Sequence, residues 1–111
     1  MKYLCLAYGD EQGWQELTER EQHAVLAQDE VVRKRGAIMA SVQKSVTCLR
    51  AWDGAASTTG GPFPDLKTPL AGFSIIDAAD LDEVVGLLAG TPCARAKGVI
   101  EIRPIRSMTD T

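Results

Sequence analysis

Residues 2–8 alternate two sets of side chains, Leu4/Leu6/Tyr8 and Tyr3/Cys5/Ala7, and both sets are largely apolar. Side chains of a strand point alternately to opposite faces, so the pattern predicts a strand covered on both sides. Gly9-Asp10 ends it. Thr18-Glu19-Arg20-Glu21 has the spacing of a capping box. It predicts a helix that runs to Arg35 and stops at Gly36, after the basic run Arg33-Lys34-Arg35. At about 100° per residue, Leu17, Ala24, Val25, Val31 and Val32 gather into one stripe. On that phase the stripe faces the core, and an aspartate at Val31 is expected to destabilise the fold strongly.

Residues 37–42 and 46–51 read as short strands. Trp52-Asp53-Gly54 supplies a turn, because Asp-Gly tolerates positive φ, and Ala55 to Thr59 returns as the second arm of a hairpin. Gly60-Gly61-Pro62-Phe63-Pro64-Asp65 cannot continue a central strand, since its prolines lack amide donors, and reads as a loop or an edge. Gly72 to Asp77 reads as a strand. Asp80 caps a second helix with the apolar stripe Leu81, Val84, Val85 and Leu88, closed by Gly90 and Pro92. Residues 99–105 alternate again as a final strand.

This order predicts an α+β fold of the ferredoxin-like type, an antiparallel sheet with two helices on one face. Two helices cover one face only, yet Tyr3, Cys5 and Ile76 or their alternates leave apolar residues on the other. A second copy of the chain packed sheet to sheet is the expected cover, giving a homodimer.

At 111 residues, one domain spanning 1–111 is expected. With 12 basic and 15 acidic residues, no basic face is apparent for a nucleic-acid backbone. Cys5, Cys48 and Cys93 are far apart and odd in number, which suggests reduced thiols and offers no metal-ligand pair. The apolar run Tyr3 to Tyr8 is too short for a signal-peptide core or a membrane span. A soluble cytoplasmic protein without membrane or nucleic-acid partners, metal or cofactor is therefore expected.

Gly61-Pro62-Phe63, Lys67, Leu70, Gly72-Phe73, Ala79-Asp80-Leu81-Asp82-Glu83, Pro92, Ala94-Arg95 and Val99-Ile100-Glu101-Ile102-Arg103-Pro104 resemble the YCII-related proteins of the DGPF subgroup. The opening Lys2-Tyr3-Leu4-Cys5-Leu6 with Tyr8-Gly9-Asp10 is similar to the start of that subgroup. The resemblance implies a dimeric α+β barrel built from ferredoxin-like protomers. It also implies a His/Asp pair in a cleft, as proposed for the wider family, and the association of DGPF members with extracytoplasmic-function sigma factors. The chain departs from the pattern at Gly60, where the motif has Asp, at Pro64-Asp65-Leu66, where it has Ala-Glu-Thr, and at Thr68-Pro69, where it has Glu-Gln.

His23 is the only histidine. Its helical angle sets it well away from the apolar stripe, beside Glu19 and Glu30, and reads as a solvated side chain. Asp29 lies on yet another side, so the two form no direct dyad. Phe63, Asp65 and Lys67 on the irregular loop, with Arg95 near the last strand, form the candidate site. Loops held by a sheet carry binding groups, and here a forked guanidinium and an ammonium point charge suit a small polar or anionic ligand. Surface salt bridges account for the same charges without any ligand. Thr58-Thr59-Gly60-Gly61 lacks the helix and the Lys-Ser/Thr of a phosphate loop, no serine has a nucleophile-elbow context, and no histidine activates Cys93. Two classes stay open, a ligand-binding or regulatory dimer and a small cofactor-independent lyase, isomerase or hydrolase.

Overall fold

The computed structural model describes residues 1–109. Its elements run β1 (Lys2–Tyr8), α1 (Glu11–Gln15), α2 (Glu19–Lys34), β2 (Ile38–Ser41), β3 (Thr47–Arg50), β4 (Ser57–Gly60), β5 (Leu70–Asp77), α3 (Leu81–Leu88), α4 (Pro92–Arg95) and β6 (Val99–Pro104). Four strands form an antiparallel sheet in the order β2-β5-β1-β6. Set aside the β3–β4 hairpin and the two short helices, and what remains is β-α-β-β-α-β with the strand order of a ferredoxin-like sandwich. The expected fold class is therefore present in one protomer.

Register decides which side chains the helices cover. Tyr3 pairs with Ile76 and Pro104, and Cys5 with Ser74 and Ile102. These positions share a face with Met39, which pairs with Ser74. Tyr3, Cys5, Ile76 and Ala78 meet Val32 of α2 and Val84 and Leu88 of α3 in the core. The alternates Leu4, Leu6, Phe73 and Ile75 stand on the opposite face with Ile38, which is largely exposed. The face the helices leave uncovered is thus that of the alternates, and Tyr3, Cys5 and Ile76 belong under the helices.

Both long helices begin as expected. The Thr18 hydroxyl accepts the Glu21 amide at 3.1 Å while the Glu21 carboxylate accepts the Thr18 amide at 2.9 Å, and Asp80 accepts the Glu83 amide at 2.9 Å. The stripes are a correction. On α2 only Val25 and Val32 are buried, while Ala24 and Val31 are exposed, Val31 by 48%. Val25 and Val32 lie seven residues apart, nearly two full turns, so they define the covered face, and Ala24 and Val31 fall about 100–120° from it. The rest of that face is polar: Gln22, Gln28 and Asp29 are all partly buried. Gln28 Nε2 donates to the Leu87 carbonyl at 2.7 Å and Gln22 Nε2 to that of Trp14 at 3.0 Å. On α3 Val84 and Leu88 are buried, whereas Leu81 and Val85 are about half exposed.

Two short helices add to the expected elements. Asp10, read as the end of the first strand, also caps α1 by accepting the Gly13 amide at 2.9 Å. Pro92, read as closing the second helix, opens α4 at its first turn, where a missing amide costs nothing. α1 and α4 touch at Gly13, where a Cβ would collide with the Ala96 carbonyl oxygen. The hairpin from β3 to β4 forms as expected, with Arg50 opposite Ser57, but as a separate two-stranded sheet. It projects from the body: the radius of gyration is 15.8 Å, against about 13 Å for a compact chain of this length. No helix among the described residues is long and apolar enough to cross a membrane.

Candidate functional site

Polar positions on the covered side of α2 open a space between the helices and the sheet. A cavity of about 250 Å³ is lined there by Asp29 and Arg33 of α2, Cys5, Ser41 and Ser74 of the sheet, and Thr91 and Cys93 at α4, among others. Apolar walls come from Met39, Leu88 and Ile100. A mostly apolar enclosure with a few converging polar groups is the usual form of a small-molecule site.

Asp29 is the distinctive group. It is half-buried, and no hydrogen bond to its carboxylate occurs among the described residues. Burial pushes its carboxyl above the usual carboxylate range, with the nearby Arg33 guanidinium partly opposing that shift. Arg33 is itself paired with Glu30 one turn earlier. Burial also raises the Cys93 thiol, and the Asp29 charge raises it further. A thiol held protonated is a poor nucleophile, so the arrangement favours Asp29 as the proton-exchanging group over Cys93. Cys5 is likewise raised by burial, against a partly offsetting hydrogen bond with Ser74.

The residues singled out from sequence lie elsewhere. Phe63, Asp65 and Lys67 stand exposed on the loop after β4, Phe63 by 79%, and line neither described cavity. Arg95 is exposed on α4, where its charge helps hold the Glu21 carboxyl below the usual range, after the hydrogen bonds to Thr18. His23 is exposed on α2 and lines neither cavity, as its helical angle predicts, whereas Asp29 lines the first. Sequence reasoning passed over Asp29 because it sought apolar residues on the covered face. The available signal was Asp29 four residues after Val25 and three before Val32, which places it on that same face. Among the described residues no group of three or more His, Cys, Asp or Glu side chains could hold a metal ion.

No curated protein matches the chain significantly. Among solved structures, it is similar to 5-chloro-2-hydroxyhydroquinone dehydrochlorinase from Burkholderia phenoliruptrix AC1100, determined with 2,5-dihydroxybenzoquinone. The two are 20% identical over 96% of this chain and 94% of the other, with a TM-score of 0.49. The profile of the YCII-related domain matches residues 1–109, almost the full length, and the chain accordingly belongs to the YCII-related domain family.

Proposed function

We propose that the protein is a cytoplasmic homodimer that binds a small organic molecule in the cavity beneath α2, with Asp29 as the group that accepts the ligand's hydrogen bond or proton. The observation that carries this reading is a half-buried carboxylate, raised by burial, opening on a cavity walled mainly by apolar side chains. Such a group costs stability, and a binding role explains why the chain keeps it. The uncovered apolar face around Leu4, Leu6, Phe73 and Ile75 supports the dimer. Three unpaired cysteines, Cys5, Cys48 and Cys93, fit a reducing compartment. The reading needs no metal or cofactor. It also makes no use of sigma factors, for which the site offers no recognisable feature.

The second reading is a cofactor-independent enzyme, favoured by the same raised carboxyl, which suits a general base working nearer neutrality. A third location for the ligand is the loop with Phe63, Asp65 and Lys67 together with Arg95, whose exposed charges would suit a polar or anionic molecule.

A thermal-shift and ligand-observed NMR screen of small alcohols, amines and carboxylates separates these. Hits lost in Asp29→Ala and kept in Lys67→Ala and Arg95→Ala support the cavity. The converse moves the site to the loop. Conversion of a hit to product, lost in Asp29→Asn, turns the binding module into an enzyme. Sedimentation at micromolar concentration tests the dimer, and a monomer of 11.9 kDa would overturn it.

A further inference from the structure

A second cavity of about 330 Å³ lies beside the first, at the end of the sheet where α1 and α4 meet. Its walls include Trp14 of α1, Pro69 and Leu70 at the start of β5, and Val42 after β2, with Lys44 at its edge. It is more apolar than the first, and Trp14 contributes a half-buried aromatic ring. Asp10, although it borders the space, is occupied in capping α1.

Three residues, Ala71, Pro92 and Cys93, line both cavities. The two spaces therefore adjoin across α4 and the start of β5, with the Cys93 thiol at the junction. That thiol packs over Gly9, where an added Cβ would stand 2.9 Å from Sγ. Each cavity alone is near or below the smaller end of ligand pockets, about 300 Å³, while the pair lies well inside the range of about 300–1,000 Å³.

We infer that the two cavities are one bipartite cleft, and that its ligand is an elongated, uncharged amphiphile: a hydroxyl-bearing head against Asp29 and a flat apolar body against Trp14, threaded past Cys93. This rests on the proposed role of the Asp29 cavity and adds a second subsite with its own chemistry. The head lobe supplies an acceptor at Asp29 and a donor at Arg33, which together suit a hydroxyl group. The body lobe offers an aromatic face and aliphatic walls over most of its surface, with Glu11 and Lys44 as its charged lining beside the cap Asp10, and the apolar part suits a planar hydrocarbon framework.

Two probes of matched head and different length test the inference, benzyl alcohol for the head lobe alone and 4-phenylbenzyl alcohol for both. The long probe should bind at least tenfold more tightly by NMR titration, and Trp14→Ala should remove that advantage while leaving benzyl alcohol unchanged. Val42→Phe, which fills the second lobe without removing the indole, should exclude the long probe selectively and guards against Trp14→Ala simply unfolding α1. The long probe should also slow labelling of Cys93 by methyl methanethiosulfonate, followed by peptide mass mapping against Cys48, by fivefold or more. Equal affinity of the two probes, or a length advantage that survives both variants, overturns the bipartite cleft and leaves the Asp29 site standing. Binding of both probes undiminished in Asp29→Ala overturns the proposed function itself.

Discussion

β4 and β5 are both antiparallel strands with a regular ladder to one neighbour or more, and they share almost nothing else. In β5 the residues Gly72, Ser74 and Ile76 are buried in strict alternation; in β4 all four residues are exposed. The difference lies above the ladder. β5 sits between β1 and β2 with two helices over one face, whereas β4 pairs, among the described residues, only with β3 and stays exposed along its length. A net backbone hydrogen bond is worth about 1 kcal/mol, and an isolated two-stranded hairpin is marginal in water. The ladder specifies a register, and burial supplies the stability. At the base of the arm its two sides are joined further by the Gly61 amide donating to the Val46 carbonyl at 3.0 Å and by the Cys48 thiol donating to that of Gly61 at 3.1 Å.

The contrast breaks most readily at Ile76, which is 1% exposed and touches the layer of Val32, Val84 and Leu88. Ile76→Ala should cost about 2–5 kcal/mol in urea titration, the range for deleting a large buried aliphatic side chain. A loss below about 1 kcal/mol would mean that the helices pack loosely on the sheet and that the two regions differ less than their exposure suggests. Thr18→Ala should cost about 1 kcal/mol, since it removes one half of the capping box and leaves the Glu21 amide to solvent. That loss should fall on α2 and the sheet beneath it, leaving the amide exchange of β3 and β4 unchanged.

Asp29 is the exception inside the covered region, and its effect has the opposite sign. Burial raises its carboxyl, so the folded chain keeps that proton to higher pH than the unfolded chain does. Where the folded state holds more protons, stability falls as pH rises. Stability should therefore drop from the ordinary aspartate range upward until the folded carboxyl has ionised. Asp29→Asn should remove that slope, melting higher than the parent at pH 7 and equal to it at pH 3. A variant less stable at pH 7 would show that the carboxylate holds the fold together, which would also weaken its reading as a ligand group.

The elements most legible in the sequence were those whose local chemistry is self-contained. Thr18 with Glu21, Asp80 before Leu81, and the Asp53-Gly54 turn each carry their own hydrogen-bond logic within four residues, and each stands where it was expected. The family resemblance extended this to the whole chain, and the YCII-related profile agrees. What the pattern hid was tertiary. Gln22, Gln28 and Asp29 occupy the covered face of α2 because carbonyls of neighbouring elements and a cavity receive them, and no periodicity of apolar residues reports such partners. Phe63, Asp65 and Lys67 stood out because the loop is irregular, and they line neither of the two described cavities.

The exposed half of the contrast can be sharpened on the arm. Leu49 is 66% exposed on β3, and Leu49→Ser should change stability by no more than about 0.5 kcal/mol while the arm lies in solvent. A loss above about 1 kcal/mol that grows with protein concentration would place the arm against a second copy.

The smallest effect is expected at Val31, where the apolar pattern of α2 would put one of the largest. The residue is 48% exposed and stands about 120° from the Val25–Val32 line, so an aspartate there keeps its hydration. Its neighbours on the helix surface are Lys34 at i+3 and Arg35 at i+4, and an acidic residue preceding a basic one by that spacing gains about 0.2–0.5 kcal/mol. Against this, an acid near the C-terminal turn of a helix meets the negative end of its dipole, a cost of similar size. The two terms nearly cancel, and Val31→Asp should unfold within about 0.5 kcal/mol of the parent, with Val32→Asp in parallel failing to fold. If Val31→Asp instead proved as damaging as Val32→Asp, the covered face of α2 would be turned by about a third of a revolution. Asp29 would then no longer point into the cavity on which its proposed role depends.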